Sequence, residues 1–206
     1  MQITICGGGN AAHTSTGLLA AREEHRVNVY LSMVDEAKLW QAGIDSQGGM
    51  TVLRQEGTIQ SLPQKISSDP AQVIPGSQLV LLALPAFAHE SVLGEIAPYL
   101  EQGTLIGALA ARGSYDLCTR DVLKSKTDSV TVFGLQTLPW ACRIKHYGRE
   151  VEILGTKATV DFATCPPEQA DDLASFLSQQ LGVPLSPMGS FLSLTLAGTG
   201  SSSTLV

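Results

Sequence analysis

"ITICGGGNAAHTSTGLLAA", residues 3–21, joins an apolar strand, three consecutive glycines and a helical pattern without a break. Gly7, Gly9 and Ala12 match G-x-G-x-x-[GA], placed directly after a strand and directly before a helix, the context in which this pattern holds the pyrophosphate of a dinucleotide. Gly7 allows the tight turn, Gly9 leaves room for a phosphate to approach the main chain, and the small Ala12 lets the helix pack close to the sheet. The first helical N–H groups, at Asn10 and Ala11, face the phosphates together with the positive end of the helix dipole. An ordinary glycine-rich turn is the competing reading, and the strand–helix alternation that follows weighs against it.

Working outward, short apolar runs at residues 27–32, 79–84, 104–109, 129–133 and 151–154 read as buried strands. Helical patterns lie at 10–22, 34–42, 86–100, 115–123 and 166–181. This alternation predicts an α/β, Rossmann-like, doubly wound fold: a mainly parallel sheet with helices on both faces. The segment MTVLRQEGTIQSL, residues 50–62, breaks the rhythm with two strand-like runs around Glu56-Gly57 and predicts a small inserted hairpin. No repeat or linker interrupts the pattern before residue 197, so residues 1–196 are expected to form one NAD(H)-binding domain.

The 206 residues are enough to bury a sizeable core. Thirteen Lys and Arg against nineteen Asp and Glu give a formal net charge of -6 without a basic cluster, so nucleic acid is not an expected partner. Cys6, Cys118, Cys142 and Cys165 are scattered with no C-x-x-C pair, which predicts free thiols, no metal site and a cytoplasmic location. No apolar run reaches the roughly 18 residues of a membrane span, and MQITIC reads as a strand rather than a leader, so no membrane partner is expected.

The second strand should end near an acidic residue, about 20 residues beyond the glycines, that binds a ribose. Here YLSMVDE puts Ser32 at that place and Asp35 three positions later; Asp35 is equally a first-turn helix residue placed for the dipole. No Arg or Lys lies between Val27 and Glu36 to meet a 2′-phosphate, which favours NAD over NADP. After the fourth core strand, LPAFAHE offers Pro85 and Phe87 as walls for the cofactor. His89 there is a better neutral donor than a proton store, or else a half-exposed histidine without a catalytic role. His13, His25 and His146 are weaker candidates. Arg112, after the fifth strand, is a cation suited to a carboxylate or simply solvated. GLQTLPWACRIKHYG, after the sixth, reads as a loop passing close to the nicotinamide, with Gln136, Thr137 and Cys142 as substrate-facing groups and Trp140 equally a packing residue.

Three strings, CGGGNAAHT, LPAFAHE and above all TLPWACRIKHYGREVEILGTK, resemble the N-terminal domain of the opine dehydrogenases, octopine dehydrogenase type, over residues 1 to 196. The resemblance implies an NAD-dependent oxidoreductase that condenses a 2-oxo acid, usually pyruvate, with the amino group of an amino acid and reduces the imine with NADH. It also implies a second, helical domain that carries the catalytic histidine and its carboxylate partner and completes the sites for these small molecules. In this sequence FLSLTLA leads to GTGSSSTLV, and no histidine follows His146. The chain is therefore expected to be truncated, with residues 197–206 an atypical, disordered tail and no catalytic residue of its own beyond the residual candidate His89. Two readings stay open: the cofactor-binding part of an opine dehydrogenase, or a non-catalytic NAD(H)-binding module. A ketopantoate reductase or glycerol-3-phosphate dehydrogenase type is disfavoured by TLPWACRIK.

Overall fold

The computed structural model describes residues 1–111 and 114–197. The chain begins β1 (Gln2–Cys6), α1 (Asn10–Ala20), β2 (Arg26–Tyr30), α2 (Val34–Gln47), β3 (Met50–Arg54), β4 (Gly57–Ser61), β5 (Lys65–Ser67), β6 (Leu79–Leu82) and α3 (His89–Ile96). It continues β7 (Leu105–Ala108), α4 (Tyr115–Leu123), β8 (Thr131–Leu135), β9 (Trp140–His146), β10 (Glu150–Thr156), β11 (Val160–Cys165), α5 (Ala170–Leu181), β12 (Leu185–Pro187) and α6 (Phe191–Leu196).

The main sheet has eight strands in the order β12-β11-β8-β7-β6-β1-β2-β5. From β5 to β8 every pairing is parallel, and β11 joins β8 antiparallel. Parallel strands covered on both faces need apolar residues at successive positions. In β1 and β6, Ile3, Ile5, Leu79 and Leu81 turn to one face and pack with α1, α2 and α5, while Cys6, Val80 and Leu82 turn to the other, with α3, α4 and α6. The chain winds one way from β1 to β2 and the other way to β6, so the crevice of the fold opens at the carboxyl ends of these strands.

The expected inserted hairpin is present as β3 and β4, but it belongs to a larger unit. A second sheet of four strands, β4-β3-β10-β9, takes in residues 151–154, which do not enter the main sheet, and residues 140–146, which the sequence reading treated as a loop. This sheet lies on α1, whose other side faces β1 and β2. Gly17 marks the closeness, since a Cβ there would sit 2.3 Å from Val52 Cγ2. Enclosure on both sides explains why Ala11, Ala12, His13, Thr14, Ser15, Thr16 and Gly17 are all buried in one helix.

Two helix boundaries also differ from expectation. α2 runs on through Gly43, where the chain crosses so tightly that a Cβ would sit 2.6 Å from the Tyr147 carbonyl oxygen; it stops at the left-handed Gly48. The stretch 86–100 is three pieces, with short 3-10 turns at Ala86–Ala88 and Ala97–Tyr99 flanking α3. Pro98, which lacks an N–H, ends the regular helix. Among the described residues no helix is long and apolar enough to cross a membrane.

Candidate functional site: a glycine-floored cleft at the strand ends

A cleft of about 470 Å³ opens where β1, β2 and β6 end, floored by Gly7, Gly8 and Gly9. Gly7 has φ +127 and donates its N–H to the Tyr30 carbonyl at 3.0 Å; a Cβ there would lie 2.6 Å from the Ala83 carbonyl oxygen. Backbone and packing both require glycine at this position. Gly9 is different. Its φ of -84 and ψ of -173 suit any residue, and among the described residues nothing lies within 4 Å of the place a Cβ would take. The only thing a glycine secures at residue 9 is open space at the N-terminus of α1. That helix has no side-chain cap and no acidic residue in its first turn, so its leading N–H groups and dipole are uncompensated.

Ala12 is fully buried between α1 and the sheet, as its size suggests, and Ala11 is buried as well. Asn10 turns its side chain away, and its Oδ1 accepts the Ile144 N–H at 2.9 Å, tying the helix start to β9. These three residues thus bring main-chain groups to the helix start while their side chains serve packing. His13 fastens the same turn from below: Nδ1 donates to the Gly9 carbonyl at 3.1 Å, Nε2 accepts the Gly148 N–H at 2.9 Å, and the ring stacks on Trp40 with 3.7 Å between centroids. Burial lowers its pKa to about 4. Sequence reasoning ranked His13 low because a helix-interior histidine carries no signal of the two distant backbone partners.

At the end of β2, Ser32 lines the cleft and donates its hydroxyl proton to Glu95 Oε2 of α3 at 2.9 Å. Asp35 is exposed and stands outside the cleft; the carboxylate lining it is that of the next residue, Glu36. Adjacent residues in a helix differ by about 100° of rotation, so a one-residue choice in the first turn reverses which acid faces inward. At the end of β6, Pro85 and Phe87 line the other side of the cleft, with Phe87 89% exposed and Met33, at the β2 side, 61% exposed. His89 is 2% exposed rather than half-exposed; it approaches the Leu84 carbonyl, packs edge-on to Tyr115, and has its pKa lowered by burial.

The expected substrate group does not gather in this cleft. Gln136 is buried and donates to the Ala197 carbonyl at 2.7 Å, and Thr137 accepts from Lys157 Nζ at 3.0 Å. Cys142 lies on β9 in the core, 6% exposed, its thiol pushed up by burial, because the segment thought to be a loop is a strand whose alternate residues turn inward. Arg112 and residues 198–206 fall outside the described residues.

A doubly wound sheet with a glycine turn, an uncapped helix start and a cleft at the switch point defines a dehydrogenase-type Rossmann domain. No protein-family model matches the chain. Octopine dehydrogenase of Mizuhopecten yessoensis is 38% identical over 164 residues, covering 78% of this chain and 41% of that protein. Tauropine dehydrogenase of Arabella iricolor is 31% identical, covering 75% and 40%. A solved octopine dehydrogenase with NADH and pyruvate superposes with a TM-score of 0.86 at 33% identity, covering 95% of this chain and 51% of that one. The chain is a homologue of the opine dehydrogenases, octopine dehydrogenase type, and corresponds to their N-terminal half. It spans about two-fifths of the length of the curated relatives it matches.

Proposed function

We propose that this chain is the NAD(H)-binding half of an opine dehydrogenase, serving the reductive condensation of a 2-oxo acid such as pyruvate with the amino group of an amino acid. The observation that carries the reading is Gly9, a glycine that neither backbone strain nor internal packing requires and whose missing side chain keeps the helix start open. The cleft fits a dinucleotide: the leading N–H groups of α1 for the pyrophosphate, Ser32 and Glu36 for a ribose, and Met33, Pro85 and Phe87 as apolar walls for a base. Bound NADH supplies the hydride for the reduction. The part of this chain is to bind and orient that cofactor. Residues 1–196 are taken as one such domain, acting on small molecules, and the four free cysteines support a cytosolic setting.

A second reading, a binding module without chemistry, is favoured by one observation. The two histidines nearest the cleft, His13 and His89, are buried with lowered pKa values, so neither holds a proton for transfer at neutral pH. Titration of the purified chain with NADH, followed by fluorescence, separates binding from its absence. NADH oxidation with pyruvate and a panel of amines then separates the two readings in any longer form of the protein. Binding by the wild type and at least tenfold weaker binding by Gly9→Val are the expected results; equal binding by the variant would remove the main support.

A further inference from the structure

The end of β2 has no acid where the dinucleotide motif expects one, yet its hydrogen bonds are all arranged in one sense. Ser32 Oγ gives its single proton to Glu95 Oε2 at 2.9 Å. Tyr30 Oη donates to the same oxygen, and Ser91 Oγ reaches Glu95 Oε1 at 3.3 Å. Burial and the bond to Glu95 raise the Tyr30 pKa, so that phenol stays protonated and remains a donor to the carboxylate. A hydroxyl has one proton and two lone pairs, so Ser32, its proton committed, offers the cleft lone pairs alone. Glu36, in the first turn of α2, adds a carboxylate to the same wall, and among the described residues no Lys or Arg lines the cleft. Lys38, on the same helix, is exposed and does not line the cleft.

We propose that Ser32 and Glu36, with Glu95 behind Ser32, form an acceptor-only wall at the nucleoside end of the cleft, which takes a free ribose 2′-hydroxyl and refuses a 2′-phosphate. Glu95 of α3 acts as the positioning residue that fixes the sense of the Ser32 hydroxyl. The inference rests on the reading of the cleft as a dinucleotide site and deepens it. A ribose diol has protons to give to this wall. A 2′-phosphate brings about -1.5 to -2 charges and three acceptor oxygens, and would meet the Glu36 carboxylate and a serine whose proton is held by Glu95 behind it. The acid missing from the β2 end is thus supplied from across the sequence, through one serine and from the neighbouring helix.

The test uses ADP-ribose and its 2′-phosphate, which read this end of the cleft without nicotinamide or redox chemistry, titrated calorimetrically into the whole chain alongside NADH. The wild type is expected to bind ADP-ribose at least tenfold more tightly than the 2′-phosphate. Glu95→Gln and Glu36→Gln should each narrow that ratio several-fold, the first because the Ser32 proton is no longer held by a carboxylate and can turn to the phosphate, the second because it removes a charge that the phosphate must face. A narrowed ratio with an unchanged melting temperature is not what a purely structural role for Glu95 produces. Should Glu95→Gln fail to fold, Ser32→Ala carries the test: ADP-ribose weakens several-fold while the 2′-phosphate is little changed. A wild type that binds NADH and ADP-ribose but shows the same preference in all three variants overturns this inference and leaves the cofactor site standing. A wild type that binds neither overturns the site itself.

Discussion

Gly7 and Gly9 stand two residues apart in one turn, and the structure gives them opposite reasons for being glycine. Gly7→Ala places a Cβ 2.6 Å from a carbonyl oxygen at φ +127, so a loss of about 2–4 kcal/mol is expected in urea denaturation. Gly9→Ala meets nothing within 4 Å among the described residues and should leave stability within about 0.5 kcal/mol while weakening NADH. The same turn carries a pH dependence. His13 accepts an N–H at Nε2 and donates from Nδ1, so only the neutral ring fits, and its pKa falls from 6.5 to about 4. Between pH 6.5 and 4 the unfolded chain takes up a proton that the folded chain refuses. Stability therefore falls as the pH is lowered through that window, by about 3 kcal/mol in all, and the His13 contribution is flat above it. His89, also lowered, acts in the same direction. Urea melts between pH 7.5 and 4 check this, and His13→Gln should make the slope shallower, leaving the His89 part.

At the scale of elements, α1 holds the molecule together because two sheets close on it. Gly17 is where the second sheet comes nearest, so Gly17→Val should cost at least 1–3 kcal/mol by overpacking Val52. Gly94, in α3 with open space around its Cβ position, is the control: Gly94→Ala should stabilise by about 0.5–1 kcal/mol through helix propensity. Thermal melts of the two variants should move in opposite directions. The parallel part of the main sheet was legible because its central strands are short apolar runs, and α4 was read to the residue; β11 and β12, at the far edge of that sheet, were not among the expected strands. The second sheet was not, although its signals were present. In β9, Trp140 and Cys142 turn inward while Arg143 and Lys145 turn outward, and β10 buries Val151 and Ile153. That period of two was masked because the stretch is polar and aromatic and reads as a loop. The absence of any charged side chain from Asn10 to Ala21 was a further clue, since a helix without a polar face is covered all round. The expected end of α2 at residue 42 fell short, because Gly43 serves a close crossing and the helix runs on to Gln47. Of the site, the glycine turn and the β6 wall were readable as local strings. Glu36 and Glu95 were not, because the first depends on helix rotation and the second on a contact between residues 63 positions apart.

For the whole molecule, the parts needed to hold a cofactor and the parts needed to use it are separable. On the proposed reading of the cleft, holding it needs a glycine turn, a helix start and two walls, all within the described residues. NADH at about 100 times its Kd should therefore stabilise the chain by about 2.7 kcal/mol, a rise in melting temperature of roughly 5–10 °C for a domain of this size. Turnover needs more: the carbon to be reduced held in line with the nicotinamide, water excluded, and a proton delivered to the oxo group. Orientation can contribute on the order of 7 kcal/mol and acid–base help about 10²- to 10⁴-fold. Among the described cleft residues, Tyr30 and Ser32 have committed their protons to Glu95, and His13 and His89 next to the cleft are buried and neutral. Purified chain with NADH, pyruvate and an amine panel that includes arginine and taurine should thus show binding by melting shift and NADH oxidation at background. Oxidation that is substantial and disappears in His89→Ala would assign the proton to a residue that the structure buries against Leu84 and Tyr115. Background rates with the cofactor bound would show that binding and chemistry are separable in this chain.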